Sequence, residues 1–168
     1  MSGYTYDLFR TELGWVGLLG SPRGLRGSTL PVATREAALS ELGPEVGAAR
    51  HDPTALVGAR EAVLAALEGR TGGPEVPLDL EGAPPFFQAA WEACQAIPRG
   101  ETRSYGWLAL AAGRPGAARA AGQAMARNRL APLVPCHRVV GGDGSLHGYG
   151  GGLPLKARLL SLEARAAS

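Results

Sequence analysis

One low-complexity joint divides this 168-residue chain near its middle: Thr71-Gly-Gly-Pro-Glu-Val-Pro77, followed closely by Gly82-Ala-Pro-Pro85. Proline removes a backbone donor and glycine frees the backbone, so neither a helix nor a central strand runs through such a stretch. The chain must therefore build two small cores, and 45% hydrophobic residues suffice for both. The expected class is α+β, with a small antiparallel-sheet N-terminal domain over 1–80 and a mainly helical C-terminal domain over 81–168. In the first domain, Tyr4–Phe9, Trp15–Leu19 and Leu25–Leu30 read as a three-stranded meander. Asp52 as N-cap and Pro53 at the first helical position predict a helix carrying Leu56, Val63 and Leu67 and ending at Gly69.

The second half predicts helices over Phe86–Ile97, over Tyr105–Ala112 behind a Ser104 cap, and from Pro115 to about Asn128. The last two, joined by a Gly-Arg-Pro turn, form a helix-turn-helix pattern. The final helix of that pair is made almost wholly of small residues around Arg119, Gln123 and Arg127, where a core helix would use Leu and Ile. Charge is also unevenly divided along the chain. Residues 1–97 carry 7 Arg against 12 acids, a net of −5, whereas 98–168 carry 9 Arg and 1 Lys against 3 acids, a net of +7. A polyanion partner for the second half alone is the natural reading.

No apolar run reaches the roughly 18 residues that would span a bilayer, and the N-terminus has no signal-like pattern, so membrane association and secretion are not expected. Cys94 and Cys136 make a poor disulfide framework, which favours a reducing, cytoplasmic compartment. Three scattered histidines show no ligand spacing, so neither a metal nor another cofactor is expected.

The chemistry concentrates in Val134-Pro135-Cys136-His137-Arg138-Val139-Val140. A thiol attacks as thiolate, and an adjacent imidazole and guanidinium are groups that lower its pKa. A buried structural cysteine is the plain alternative. Around this run stand Phe87-Gln88-x-x-Trp91, Ile97-Pro98-x-Gly100-Glu101-Thr102-x-Ser104-Tyr105, Ala117-Ala118-Arg119-Ala120-x-Gly122, Asn128, Gly144, Gly148-Tyr149-x-Gly151-Gly152-Leu153, Lys156, Leu159-Leu160 and Glu163. In this order and spacing the second half resembles the O6-alkylguanine-DNA alkyltransferases, with the similarity running from Phe86 to Glu163.

The resemblance implies a winged-helix-like second domain. It implies irreversible, one-for-one transfer of an alkyl group from O6-alkylguanine in double-stranded DNA to Cys136, after the nucleotide is flipped out. O4-alkylthymine is implied as a further substrate, and a monomer as the working form. His137 and Glu163 would draw the thiol proton through a water, Asn128 would brace the turn, Tyr105 would donate to guanine N3, and Lys156 would steady the pocket and thiolate. Val139, Tyr149, Gly150 and Gly151 would contact the base. Arg119 would fill the vacated stack, with Ser104, Gln123, Met125, Arg127 and Arg138 also on the DNA. Three positions depart from the family pattern: Arg129 replaces the usual proline, Gly150 the usual Ser or Ala, and His147 is an odd neighbour for a pocket tyrosine, readable as loop surface.

Two other functions remain. A non-catalytic lesion-binding relative would lack the acceptor cysteine, which this chain keeps. A thiol hydrolase would need Cys136 and His137 in direct contact, which is awkward for sequential neighbours on an extended chain.

Overall fold

A computed structural model describes residues 3–167. It divides into two compact units, one comprising residues 1–80 with 129–132 and the other comprising residues 81–128 with 133–168.

In the first unit, β1 (Thr5–Thr11), β2 (Gly14–Ser21) and β3 (Gly24–Ser28) form the expected antiparallel meander. A two-residue strand, β4 (Arg50–His51), adds to it parallel to β1, giving the order β3-β2-β1-β4. Phe9 pairs with Val16 across β1 and β2, and both are buried. A helix that the sequence reading did not anticipate, α1 (Arg35–Leu42), begins where the Thr34 side chain accepts from Ala37 N at 3.1 Å. The helix expected from Pro53 starts later, as α2 (Val57–Leu67). The Asp52 carboxylate accepts from Ala55 N at 3.0 Å, so it caps the turn over 53–56 instead of the helix itself. Past its end Gly69 adopts φ 72°, and Arg70 N donates to Ala65 O at 2.8 Å, closing the helix as the glycine predicted.

Arg129 belongs to this unit. Its backbone carbonyl accepts from Ser28 N, and its Nη2 donates to the Asp79 carbonyl, both at 2.8 Å. The Asp79 carboxylate in turn holds Ser21 Oγ at 2.6 Å and Arg26 Nη1 at 3.4 Å. Arg129 therefore has a specific structural use at the position where the family pattern has proline.

The second unit is helical. Its first helix, α3 (Pro85–Gln95), buries Ala90, Trp91 and Cys94 along one face, and Ile97 continues that face. After β5 (Arg103–Ser104), α4 (Tyr105–Ala111) begins with Ser104 Oγ accepting from Trp107 N at 3.0 Å. The following helix, α5 (Ala118–Ala126), is shorter than expected at both ends. Gly116, at φ 81°, interrupts the run from Pro115, and Arg127 has left helical geometry. Ala121, Ala124 and Met125 are its buried residues. Small side chains bring its backbone close enough to α3 for Trp91 Nε1 to donate to Ala124 O at 2.8 Å. A 3₁₀ turn at Cys136–Arg138 leads into β6 (Val139–Val140), which runs parallel to β5, and α6 (Leu153–Ala167) closes the unit.

Trp91→Phe leaves a buried carbonyl without its donor and opens a small cavity where the indole was, a loss of about 2–4 kcal/mol in all. Denaturant unfolding should show a lower midpoint for this variant with an unchanged slope.

Candidate active site

The two-residue β5–β6 pairing sets the site. Arg103 aligns with Val139 and Ser104 with Val140, which lays the start of α4, and so Tyr105, beside the turn carrying Cys136. On that 3₁₀ turn successive side chains diverge by about 120°, so neighbours in sequence face different surroundings. Cys136 lines a pocket of about 960 Å³ together with Tyr105, Arg119, Gly122, Met125, His147, Tyr149 and Gly150. His137 and Arg138 turn away from it toward α6.

There they meet Glu163. His137 Nε2 lies 2.9 Å from Oε2, and Arg138 grips both oxygens, Nε to Oε1 at 2.9 Å and Nη2 to Oε2 at 2.8 Å. Arg138 Nη1 donates to Ile97 O at 2.8 Å. Burial pushes the Glu163 carboxyl up, but the hydrogen bonds from His137 and Arg138, followed by their charges, overcome it and hold the group at about 2. An ionised carboxylate only accepts, so His137 Nε2 carries the proton. In the neutral ring Nδ1 is then an acceptor, and this atom is buried with no protein partner.

Cys136 is 7% exposed. Burial raises its thiol above the ordinary range, against a hydrogen bond from Asn128 and the positive charge of Lys156. The expectation that His137 and Arg138 lower this pKa is therefore corrected: the turn commits both to Glu163, and Asn128 and Lys156 act in their place. Asn128 also donates to Val134 O at 2.8 Å, fixing the chain just before the cysteine. Among the described residues no direct hydrogen bond joins Cys136 to His137, whose Nε2 is held by Glu163.

Lys156 is fully buried, and its Nζ donates to Val139 O at 2.8 Å and to His147 O at 3.1 Å. Val139 is itself buried and contributes this carbonyl, while Gly151 is exposed outside the pocket lining. Tyr149 closes the inner wall, its ring at 81° to His137 with centroids 6.4 Å apart and its hydroxyl buried without a partner. Burial raises the Tyr105 phenol, with the nearby Cys136 adding to it, so the phenol keeps its proton.

The residues expected on DNA separate into two groups. Arg119, Gln123 and Arg127 are exposed on and just after α5, and Ser104 is half-buried at the start of α4. Met125 is buried at the pocket wall, and Arg138 is held in the Glu163 cluster, so neither lies on the exposed helix surface. His147, read from sequence as loop surface, is exposed on its loop and also lines the pocket. Its signal was available in its spacing, two residues before the pocket tyrosine. Cys94 is fully buried on α3 and is not in the lining of the pocket that holds Cys136. Among the described residues no group of acidic, His and Cys side chains could hold a metal ion, and no helix is long and apolar enough to cross a membrane.

This geometry, a buried thiol at the foot of a pocket flanked by a helix-turn-helix, has close counterparts. Residues 85–165 match the family model for the DNA-binding domain of 6-O-methylguanine DNA methyltransferase. A methylated-DNA–protein-cysteine methyltransferase of Mycolicibacterium paratuberculosis is 50% identical over 114 residues, covering 68% of each chain. The crystal structure of Mycobacterium tuberculosis OGT in complex with DNA superposes with a TM-score of 0.78 at 38% identity, over 96% of this chain and 93% of that one. The enzyme of Pyrococcus kodakaraensis, described as an O6-methylguanine-DNA methyltransferase, gives a TM-score of 0.65 at 25% identity, over 95% and 98%. The chain belongs to the methylated-DNA–protein-cysteine methyltransferase family.

Glu163→Gln should leave Arg138 without its counter-charge at a cost of about 3 kcal/mol. The folded pKa of Glu163 is depressed, so its contribution is complete above the ordinary value near 4.5 and is lost as pH falls toward about 2. Stability curves of wild type and variant should therefore run apart at neutral pH and converge across that acid window.

Proposed function

We propose that this protein repairs DNA by moving the alkyl group of O6-alkylguanine, and also of O4-alkylthymine, irreversibly onto Cys136. The observation that carries the reading is the pairing of a pocket-lining thiol with the His137–Glu163 couple behind it. A base inside a duplex cannot reach this sulfur, so the nucleotide must be swung out, at a cost of a few kcal/mol. Arg119, exposed at the start of α5 and at the pocket rim, takes the vacated place in the stack. Ser104, Gln123 and Arg127 support the backbone contacts, with Met125 at the inner edge.

In the pocket Tyr149 and the backbone of Gly150 hold the base, and Tyr105 donates a hydrogen bond to its N3. His137 Nδ1 accepts the thiol proton through a water molecule, and Glu163 stabilises the imidazolium that results. The sulfur then attacks the alkyl carbon: the C–S bond forms, the C–O6 bond breaks, and its electron pair leaves on the guanine, which takes up the Tyr105 phenol proton at N3; the phenolate regains a proton from solvent. Lys156 favours the transient thiolate, and Asn128 keeps the turn in place. The thioether formed is a stable product, so each molecule acts once. The protein works as a monomer, and in the cytoplasm; its two unbridged cysteines support the reducing compartment.

Incubation with O6-benzylguanine should add one benzyl group to Cys136, visible by intact mass, and Cys136→Ser should abolish the adduct. An unmodified wild-type protein would defeat the proposal. Arg119→Ala should slow reaction with duplex substrate by about 10-fold or more while leaving reaction with the free base nearly intact. Equal losses on both substrates would remove Arg119 from the stack.

A further inference from the structure

The loop between β6 and α6 carries a relay of side chains that the reaction described above leaves unused. Asp143 Oδ1 accepts from Ser145 Oγ at 2.6 Å and from Ser145 N at 3.0 Å. Since that hydroxyl's single proton goes to Asp143, the contact between Ser145 Oγ and His147 Nε2 at 3.0 Å is a donation from the imidazole. The backbone holds the same shape, with Gly141 N donating to Ser145 O and Gly144 N to Gly141 O, both at 2.8 Å. The imidazole occupies the space that a side chain at 141 would need: a Cβ on Gly141 would come within 2.6 Å of His147 Nε2 and 2.8 Å of Ser145 Oγ.

The imidazole also meets the Tyr105 ring nearly at right angles, 85°, with centroids 6.0 Å apart. Among the described residues the Tyr105 hydroxyl makes no hydrogen bond, so packing alone aims it. Gly122, Lys156 and His147 are among the groups around the ring. Gly122 on α5 lies against one side, where an added Cβ would sit 3.9 Å from Tyr105 Cδ1. Lys156 Nζ stands 5.9 Å from the ring centroid, itself held by the His147 carbonyl. His147 is the third, and it is the support that the Asp143–Ser145 relay locks.

We propose that His147 is a positioning residue for Tyr105: Asp143 and Ser145 fix its imidazole in the recess left by Gly141, and the imidazole keeps the phenol aimed at the flipped base. The proposal rests on the role given to Tyr105 above. Edge-to-face ring pairs of this kind correspond to about a 2- to 10-fold effect on a step that needs the ring in place.

The test is the single-turnover rate of methyl transfer from an O6-methylguanine duplex, measured alongside affinity for that duplex. His147→Ala and Ser145→Ala should each slow transfer by about 3- to 10-fold at unchanged DNA affinity. His147→Phe, which keeps an aromatic edge against the phenol, should recover most of the rate. In a Tyr105→Phe background, which has no hydroxyl to aim, His147→Ala should cause little further slowing. Independent, multiplicative losses in the double variant would overturn the proposal, as would weaker DNA binding with an unchanged transfer rate. A wild-type rate for Tyr105→Phe alone would instead remove the role assigned to Tyr105, and a wild-type protein that never becomes methylated would remove the transfer reaction itself.

Discussion

The arrangement of the second unit depends on one buried carboxylate. Glu163 accepts three hydrogen bonds from two residues of the turn that bears Cys136, and each removes a different freedom. Arg138 fixes the end of the turn to α6 and, through Ile97 O, to the end of α3. His137 is fixed in one tautomer, with its remaining nitrogen buried and available. A buried ion cluster is a poor source of net stability, because desolvation offsets most of its attraction. Its value here is directional: with both Glu163 oxygens occupied, the turn has one favourable orientation, and that orientation sends the thiol to the pocket.

The consequence for the sulfur is the reverse of simple activation. Its sequence neighbours are cationic or potentially so, yet they are consumed by Glu163, and burial raises the thiol. The resting protein therefore holds a protonated, weakly reactive cysteine, and in the proposed reaction His137 acts as its base only once a substrate and a bridging water complete the path. A permanently ionised thiol would be exposed to oxidation and to adventitious alkylation. The proposed reaction pairs low reactivity at rest with proton removal at the moment of attack.

Much of this was legible in the sequence, and what was not fails for identifiable reasons. The strands follow from alternation, and Ser104 and Gly69 mark helix ends as their backbone preferences require. α1 escaped notice because Arg35–Leu42 has little apolar periodicity and depends on the Thr34 cap. Asp52 and Pro53 gave a genuine capping signal that a turn captured four residues before α2. Cys136, Tyr105 and Lys156 could be named from motif order, but which neighbours tune the thiol depends on how a three-residue turn distributes its side chains. Arg138 illustrates the limit most clearly: an arginine in a basic half reads as a phosphate ligand until its carboxylate, 25 residues later, is seen beside it.

Burial of the acceptor also bears on why the proposed transfer runs one way. Desolvation penalises a charged thiolate but not a neutral thioether, so the surroundings that raise the thiol pKa favour the alkylated product over the ionised intermediate. Reversal would require a nucleophile to reach the sulfur-bound carbon inside the pocket and expel a thiolate into the same low-dielectric setting. The same desolvation that keeps the free cysteine quiet therefore makes the bond, once formed, final.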